Sequence, residues 1–267
     1  MTGTANHISV QGVHKIFQSG DQDIHALRAI DLEITHGEFV CLLGPSGCGK
    51  STLLNAVAGF SLPSSGTITV DGAAITEPGP DRGMVFQEYA LFPGMTVEQN
   101  IAFGLQIKGA AKGTILAKVD ELLALLNLRE FRRRYPKDLS GGMRQRVAIA
   151  RVLAIDSPIM LMDEPFGALD ALTRRNLQDE LLRLWTELGK TILFVTHSIE
   201  EALYLADRTV VMTYRPGTIK RELTIDLPRP RDVASPPFNL LKKELSELLM
   251  EEQDRHVQDE FRGVAVN

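Results

Sequence analysis

The run Phe39-Val40-Cys41-Leu42-Leu43, followed by Gly44-Pro45-Ser46-Gly47-Cys48-Gly49-Lys50-Ser51-Thr52, decides the reading of this chain. Five apolar residues ending at a glycine have the pattern of a strand buried on both faces of a parallel sheet. Lys50 to Ala58 then carries Leu53, Leu54 and Val57 at helical spacing, so the glycine-rich segment joins a strand to a helix. It fits G-x-x-x-x-G-K-[ST] through Gly44, Gly49, Lys50 and Ser51. Glycines there let successive backbone N–H groups turn inward, and the helix N-terminus adds its dipole, which together make a cradle for phosphate. In such a cradle the Lys50 ammonium reaches the β- and γ-phosphates of a nucleotide and the Ser51 hydroxyl is a Mg²⁺ ligand.

A second buried strand, Ile159 to Met162, delivers Asp163 and Glu164 to its C-terminal end. Hydrolysis needs a carboxylate for Mg²⁺ and a base for water, and neighbours on an extended chain point to opposite sides. Asp163 is thus the expected metal ligand and Glu164 the expected base. Outward from these strands, helical spacing covers Thr114 to Leu128, Ser140 to Ile155, Leu169 to Leu188 and Glu200 to Leu205. Further strands are predicted at Thr191 to Val195 and Arg208 to Thr213, and an antiparallel pair at Ile8 to Val13 and Ala26 to Thr35, broken at Gln18 to Gln22. Strands alternating with helices predict an α/β fold with a mostly parallel sheet, an N-terminal antiparallel β region and an inserted helical segment. After Asp226, Leu227-Pro228-Arg229-Pro230-Arg231 and Ser235-Pro236-Pro237 read as linker, and Asn239 to Met250 as an amphipathic helix with Leu241, Leu245 and Leu248 on one face.

Composition narrows the function. The chain has 267 residues, 24% charged and 44% hydrophobic, with a net charge of −5 and no dense Lys/Arg run, which argues against a nucleic-acid partner. No window approaches the ~18 apolar residues that span a bilayer, and Met1 to Ser9 lacks a basic region followed by an apolar stretch. Two cysteines, Cys41 and Cys48, are too few for a disulfide framework and suit a reducing, cytosolic setting. Cys48, next to a helix N-terminus, is expected to be a reactive thiol.

Several further motifs carry a family resemblance: Leu139-Ser140-Gly141-Gly142-Met143, Met162-Asp163-Glu164-Pro165, Val85-Phe86-Gln87, Ala168-Leu169-Asp170 and Thr196-His197. With the phosphate loop, they make the chain from about His7 to Asp232 resemble the ATP-binding subunit of ABC transporters. The resemblance implies a P-loop NTPase core over 1–231, a helical subdomain at about 88–156 and a C-terminal helical tail at 232–267. It implies ATP and Mg²⁺ as ligands, bound by Phe17 on the adenine, by Gly44 through Thr52 on the phosphates, and by Ser140, Gly141, Gly142 and Asp170. Ser51, Gln87 and Asp163 are the implied metal residues, and Glu164, His197 and Gln87 the catalytic ones. Met143 stands where the commonest signature has Gln, and Phe17 where Tyr is usual; neither change removes a charge, and phenylalanine still offers a stacking face.

Lys50 and the helix start at Ser140 are two anion sites that one chain cannot place on one ATP. The resemblance implies head-to-tail pairing with a second copy or a homologous ATPase subunit, each ATP lying between one phosphate loop and the other signature. It also implies transmembrane permease subunits, reached through Gln87 and the loop Tyr89 to Met95, an indirect link to a substrate-binding protein, and a place on the cytoplasmic face of the membrane. Glu88-Tyr89-Ala90-Leu91-Phe92-Pro93, the signature followed by Arg144-Gln145-Arg146, and Leu227 to Arg231 resemble the nitrate, sulfonate and taurine importers. A soluble ABC ATPase of DNA repair or translation is the alternative, though it predicts tandem ATPase units or long coiled-coil insertions. A P-loop kinase would lack the Ser140 segment.

Overall fold

The computed structural model describes residues 6–19 and 22–264, and the chain falls into two compact units, Met1–Pro78 with Thr191–Asn267, and Gly79–Lys190. The first part of the chain forms β1 (Asn6–Ser19), β2 (Gln22–Thr35), β3 (Phe39–Leu43), α1 (Lys50–Ala58), β4 (Ser65–Val70) and β5 (Ala73–Ala74). The second unit runs through β6 (Arg82–Val85), α2 (Val97–Ile107), α3 (Lys112–Leu125), α4 (Gly141–Ala154), β7 (Ile159–Asp163) and α5 (Ala171–Leu188). The chain then rejoins the first unit with β8 (Thr191–Thr196), α6 (Ile199–Leu205), β9 (Arg208–Met212), β10 (Ile219–Thr224) and α7 (Pro236–Val264).

The α/β architecture is the one the apolar runs predict. In the first unit β3 lies between β8 and β9, parallel to both, and β10 extends the sheet antiparallel to β9. Phe39, Val40, Cys41, Leu42 and Leu43 are all 0% exposed, which is why this strand reads as an unbroken apolar run. Each such Leu or Phe contributes about 1.5–3 kcal/mol of burial. A second, antiparallel sheet has the order β2-β1-β4-β5. Its strands are longer than the alternation predicts because register shifts between Val10 and Lys15 break the period-two pattern in β1. In the second unit β6 and β7 pair in parallel, and α2 packs on α3 and α4.

Several elements are absent from the sequence reading. Helix α2 contains Gly104, which weakens its helical signal, yet a Cβ at that position would collide with Ile155. Its start is marked by a capping box between Thr96 and Gln99. The tail helix runs well past Met250; Phe238 and Leu245 are buried, and it packs on α6 and β9. Within it Glu252, 0% exposed, accepts from the Tyr214 N–H at 2.9 Å and the Lys220 ammonium at 2.7 Å.

The linker expected at Leu227–Arg231 is a strap instead. Arg231 is 3% exposed and donates to the carbonyls of Leu203 and Ala206 at 2.6 Å and of Ile225 at 3.0 Å, while Arg229 pairs with Asp207 at 2.8 Å. Proline-flanked arginines look solvated in sequence, but these satisfy the free carbonyls at the end of α6.

Candidate functional site

In the first unit the parallel register sets Leu43 opposite Thr196, so the loop beginning at Gly44 and the turn bearing His197 leave neighbouring strands at the same end. Gly47 and Gly49 take φ of +75° and +96°, and a Cβ on Gly49 would lie 2.9 Å from the Ala26 carbonyl oxygen. Backbone conformation and space both demand glycine there. Lys50 is 5% exposed, its ammonium folded over the loop to donate to the carbonyls of Gly44 and Pro45 at 2.8 and 2.9 Å. Ser46 and Ser51 are exposed, and Pro45 and Thr52 half-buried. Among the described residues no side chain caps α1, so its first N–H groups face the loop opening.

Cys48 corrects the expectation of a reactive thiol. It is 0% exposed, and burial pushes its pKa up against the opposing pull of Lys50. Proximity to a helix start lowers a thiol pKa only where the thiolate is also solvated.

His197 is exposed on a turn held rigidly from behind. The Thr196 hydroxyl donates to Glu201 at 2.5 Å and accepts from the Ser198 N–H at 3.0 Å, while Ser198 caps α6 by accepting from the Glu201 N–H at 3.3 Å. Phe17, on β1, is 42% exposed with the Lys15 ammonium 5.1 Å from its ring centre. Behind the phosphate loop the turn 213–218 is a support that the sequence reading missed. The Gly217 N–H donates to Ala26 at 3.0 Å, its carbonyl accepts from Arg28 at 2.9 Å, and the Arg215 guanidinium lies against Gly47.

In the second unit Val85 pairs opposite Met162, so Gln87 and the Asp163-Glu164 pair follow parallel strands out at one end. The expected divergence of Asp163 and Glu164 along an extended chain is corrected. Strand β7 stops at Asp163, and Glu164 takes φ of +42° in a turn closed by the Gly167 N–H donating to its carbonyl at 3.2 Å. A non-glycine residue in the left-handed region stores about 1–3 kcal/mol of strain.

The signature and the loop at Asp170 are brought together. Ser140 caps α4, its hydroxyl accepting from the Met143 N–H at 3.3 Å, and Asp170 caps α5, accepting from the Thr173 N–H at 3.0 Å. That bond holds the Asp170 carboxyl below its ordinary range. A Cβ on Gly142 would lie 2.6 Å from Thr173 Cγ2, and one on Gly141 3.0 Å from Leu169 and 3.3 Å from the Tyr89 hydroxyl. The two helix starts therefore touch, with the loop after Gln87 beside them.

That loop has unforeseen supports. Tyr89 and Ala90 take φ of +62° and +48°; the Arg151 guanidinium donates to the Ala90 carbonyl, and Arg144 lies over the Tyr89 ring. Asn100, 0% exposed, donates to the carbonyls of Phe92, Met95 and Thr96 at 3.0–3.2 Å and accepts from the Phe92 N–H at 2.9 Å. A lone Asn or Arg inside an amphipathic helix gives no local signal of such a role.

The donor chemistry suits the expected ligands. A glycine cradle with a lysine fits polyphosphate, and the hydroxyl of Ser51, the amide of Gln87 and the carboxylate of Asp163 are hard oxygen donors of the kind Mg²⁺ takes.

A parallel core carrying a phosphate loop, with a capped signature helix in the second unit, defines an ATP-hydrolysing cassette. The ABC transporter family model matches residues 27–167, and the chain belongs to that family; it is an ATP-binding subunit and an ATPase. It is 49% identical over 222 residues to the nitrate import ATP-binding protein NrtD of Synechocystis sp., covering 83% of this chain and 84% of that one. It is 45% identical over 238 residues to the aliphatic sulfonates import ATP-binding protein SsuB of Bacillus licheniformis, covering 89% and 92%. Among solved structures it resembles the dimeric post-hydrolysis state of the ATP-binding cassette MJ0796 bound to ADP and Pi, with a TM-score of 0.73 and 33% identity over 82% of this chain and 99% of that one. Among the described residues no helix is long and apolar enough to cross a membrane.

Proposed function

We propose that this chain powers an importer of a small anionic solute of the nitrate or sulfonate kind, acting as a pair of ATPase subunits on the cytoplasmic side of transmembrane permeases. The observation that carries the mechanism is the contact of two capped helix starts, Ser140 on α4 and Asp170 on α5. A second helix start, in addition to the one at the phosphate loop, can receive the phosphate of a partner's nucleotide.

The roles follow from the chemistry of each side chain. The N–H groups of Gly47, Cys48, Gly49, Lys50, Ser51 and Thr52 hold phosphate oxygens, and Lys50 trades its two carbonyl partners for them. Phe17 stacks on the adenine. Ser51, Gln87 and Asp163 are the residues that would hold Mg²⁺, which would offset negative charge on the nucleotide phosphates. Glu164 takes the proton of the attacking water, and His197 donates to the γ-phosphate. Ser140, Gly141, Gly142 and Asp170 serve the nucleotide of the second copy or of a homologous ATPase subunit, so ATP acts as a ligand that stabilises the closed pair and hydrolysis reopens it. The braced loop Tyr89 to Met95 passes that motion to the permease.

Purification from membranes under mild detergent tests this reading. A permease and a solute-binding protein should co-purify, and deleting the subunit should abolish uptake of labelled nitrate or an alkanesulfonate. A permease carrying an uncharged solute would refute the cargo class, and recovery with DNA-repair or ribosomal proteins alone would refute transport.

A further inference from the structure

We infer that His7, His36 and Asp71 form a site for a divalent transition ion of the zinc class, at the opposite end of the β3–β8 strands from the phosphate loop. His7 opens β1, His36 lies in the turn between β2 and β3, and Asp71 in the turn between β4 and β5. Three chain segments remote in sequence thus meet at one point, with the Asp71 N–H donating to the His7 carbonyl at 3.0 Å. One ligand atom from each side chain falls within 4.8 Å of the others. The His36 Nε2 is 2.9 Å from one Asp71 oxygen and the His7 Nε2 3.6 Å from the other.

The three ligand atoms, within 4.8 Å of one another, need only a small side-chain adjustment to share one ion. Ligand atoms held about 2.1 Å from one ion at angles of 90–120° lie about 3.0–3.6 Å apart. The buried ring is already oriented. His7 is 2% exposed, and its Nδ1 is 2.6 Å from the Thr191 hydroxyl, which also accepts from the Gly37 N–H at 2.9 Å. An outer partner on one nitrogen, with the other directed at a carboxylate, is how a metal-binding imidazole is set up. The two rings stack at 3.8 Å with 15° between their planes. To bring both nitrogens to about 2.1 Å from one ion, the His36 ring shifts off the His7 face. Its side chain is 54% exposed and has room to do so.

Two imidazole nitrogens and one carboxylate select Zn²⁺, Ni²⁺, Co²⁺ or Cu²⁺ over Mg²⁺ and Ca²⁺, which want oxygen alone. A site with three protein ligands keeps a position for water. Its effect would be to staple the start of the antiparallel sheet to the turn that enters β3, without touching the phosphate loop.

The test uses the full chain, stripped with a chelator and titrated with Zn²⁺ and with Ni²⁺ against a chromophoric indicator, beside His36→Ala and Asp71→Ala. Both variants change exposed side chains and leave ATP hydrolysis at the parental rate. One ion per chain is expected, with affinity weakened about tenfold or more in each variant. Zn²⁺ should raise the melting temperature of the parent only. Failure of the parent to take up either ion, or equal uptake by parent and variants, overturns the assignment and leaves His36 and Asp71 as a plain ion pair.

Discussion

Replacing Gly142 by Ala probes the contact between the signature helix and α5. The new methyl carbon would sit 2.6 Å from Thr173 Cγ2, with Leu177 next at 3.8 Å. Carbon atoms rest about 3.5–4.0 Å apart, so a gap of about 1 Å must open. Rotating the Thr173 side chain away would disturb the hydrogen bond of its hydroxyl to Asp170. Overpacking of this size costs about 1–3 kcal/mol, whereas alanine for glycine within a helix returns about 1 kcal/mol. The two nearly offset, so stability changes little while the helix start moves. Turnover is therefore the informative readout: steady-state ATPase should fall about tenfold or more, matching at least 1.4 kcal/mol lost from the transition state, with Mg·ATP affinity retained. Thr173→Ser deletes the clashing carbon and keeps the backbone N–H that caps onto Asp170, so the double variant should recover most of the activity. Parental turnover in Gly142→Ala, or a double variant as slow as the single, would refute the steric reasoning.

Glu164→Gln should bind Mg·ATP normally and slow hydrolysis by ~10²-fold or more, the scale of a lost general base; single-turnover assays check this, and near-normal rates would remove Glu164 from the role. Asn100→Ala strands the Phe92 N–H and the Met95 carbonyl, the carbonyls of Phe92 and Thr96 keeping backbone donors, and should cost about 2–4 kcal/mol by urea unfolding while increasing hydrogen exchange over residues 89–96. Arg231→Met leaves the carbonyls at the end of α6 without their donors and should cost about 3 kcal/mol in the same assay. Burial raises the pKa of both Cys41 and Cys48, so the unfolded chain loses these thiol protons first. Stability from this source is complete below the ordinary thiol value of 9.0 and declines as pH rises beyond it; a Cys→Ala double variant should flatten that decline. Thiol reagents should also label the native chain far more slowly than the unfolded one.

What could be read from the sequence follows burial. Strands β3, β7 and β8 stand out because each is covered on both faces, and the phosphate loop because its glycines sit at fixed offsets. Strands β4 and β10 did not, since Ser65–Val70 and Ile219–Thr224 are half-solvated and mix polar residues into both faces. The roles of Asn100, Arg151 and Arg231 depend on carbonyls brought near by tertiary folding, for which a single polar residue leaves no periodic trace. The turn at Glu164 was missed for a related reason: backbone held in the left-handed region by its surroundings looks, in sequence, like one more residue of the strand.

Complementation between two inactive chains tests the shared-site account most directly. Lys50→Ala disables the phosphate loop, and Ser140→Arg the signature; each alone should be inactive, the second while still binding ATP. In a head-to-tail pair of the two, the intact loop of one chain meets the intact signature of the other. Mixing should therefore restore part of the turnover. A mixture as dead as its components, or a Ser140→Arg chain that hydrolyses at the parental rate by itself, would contradict the account.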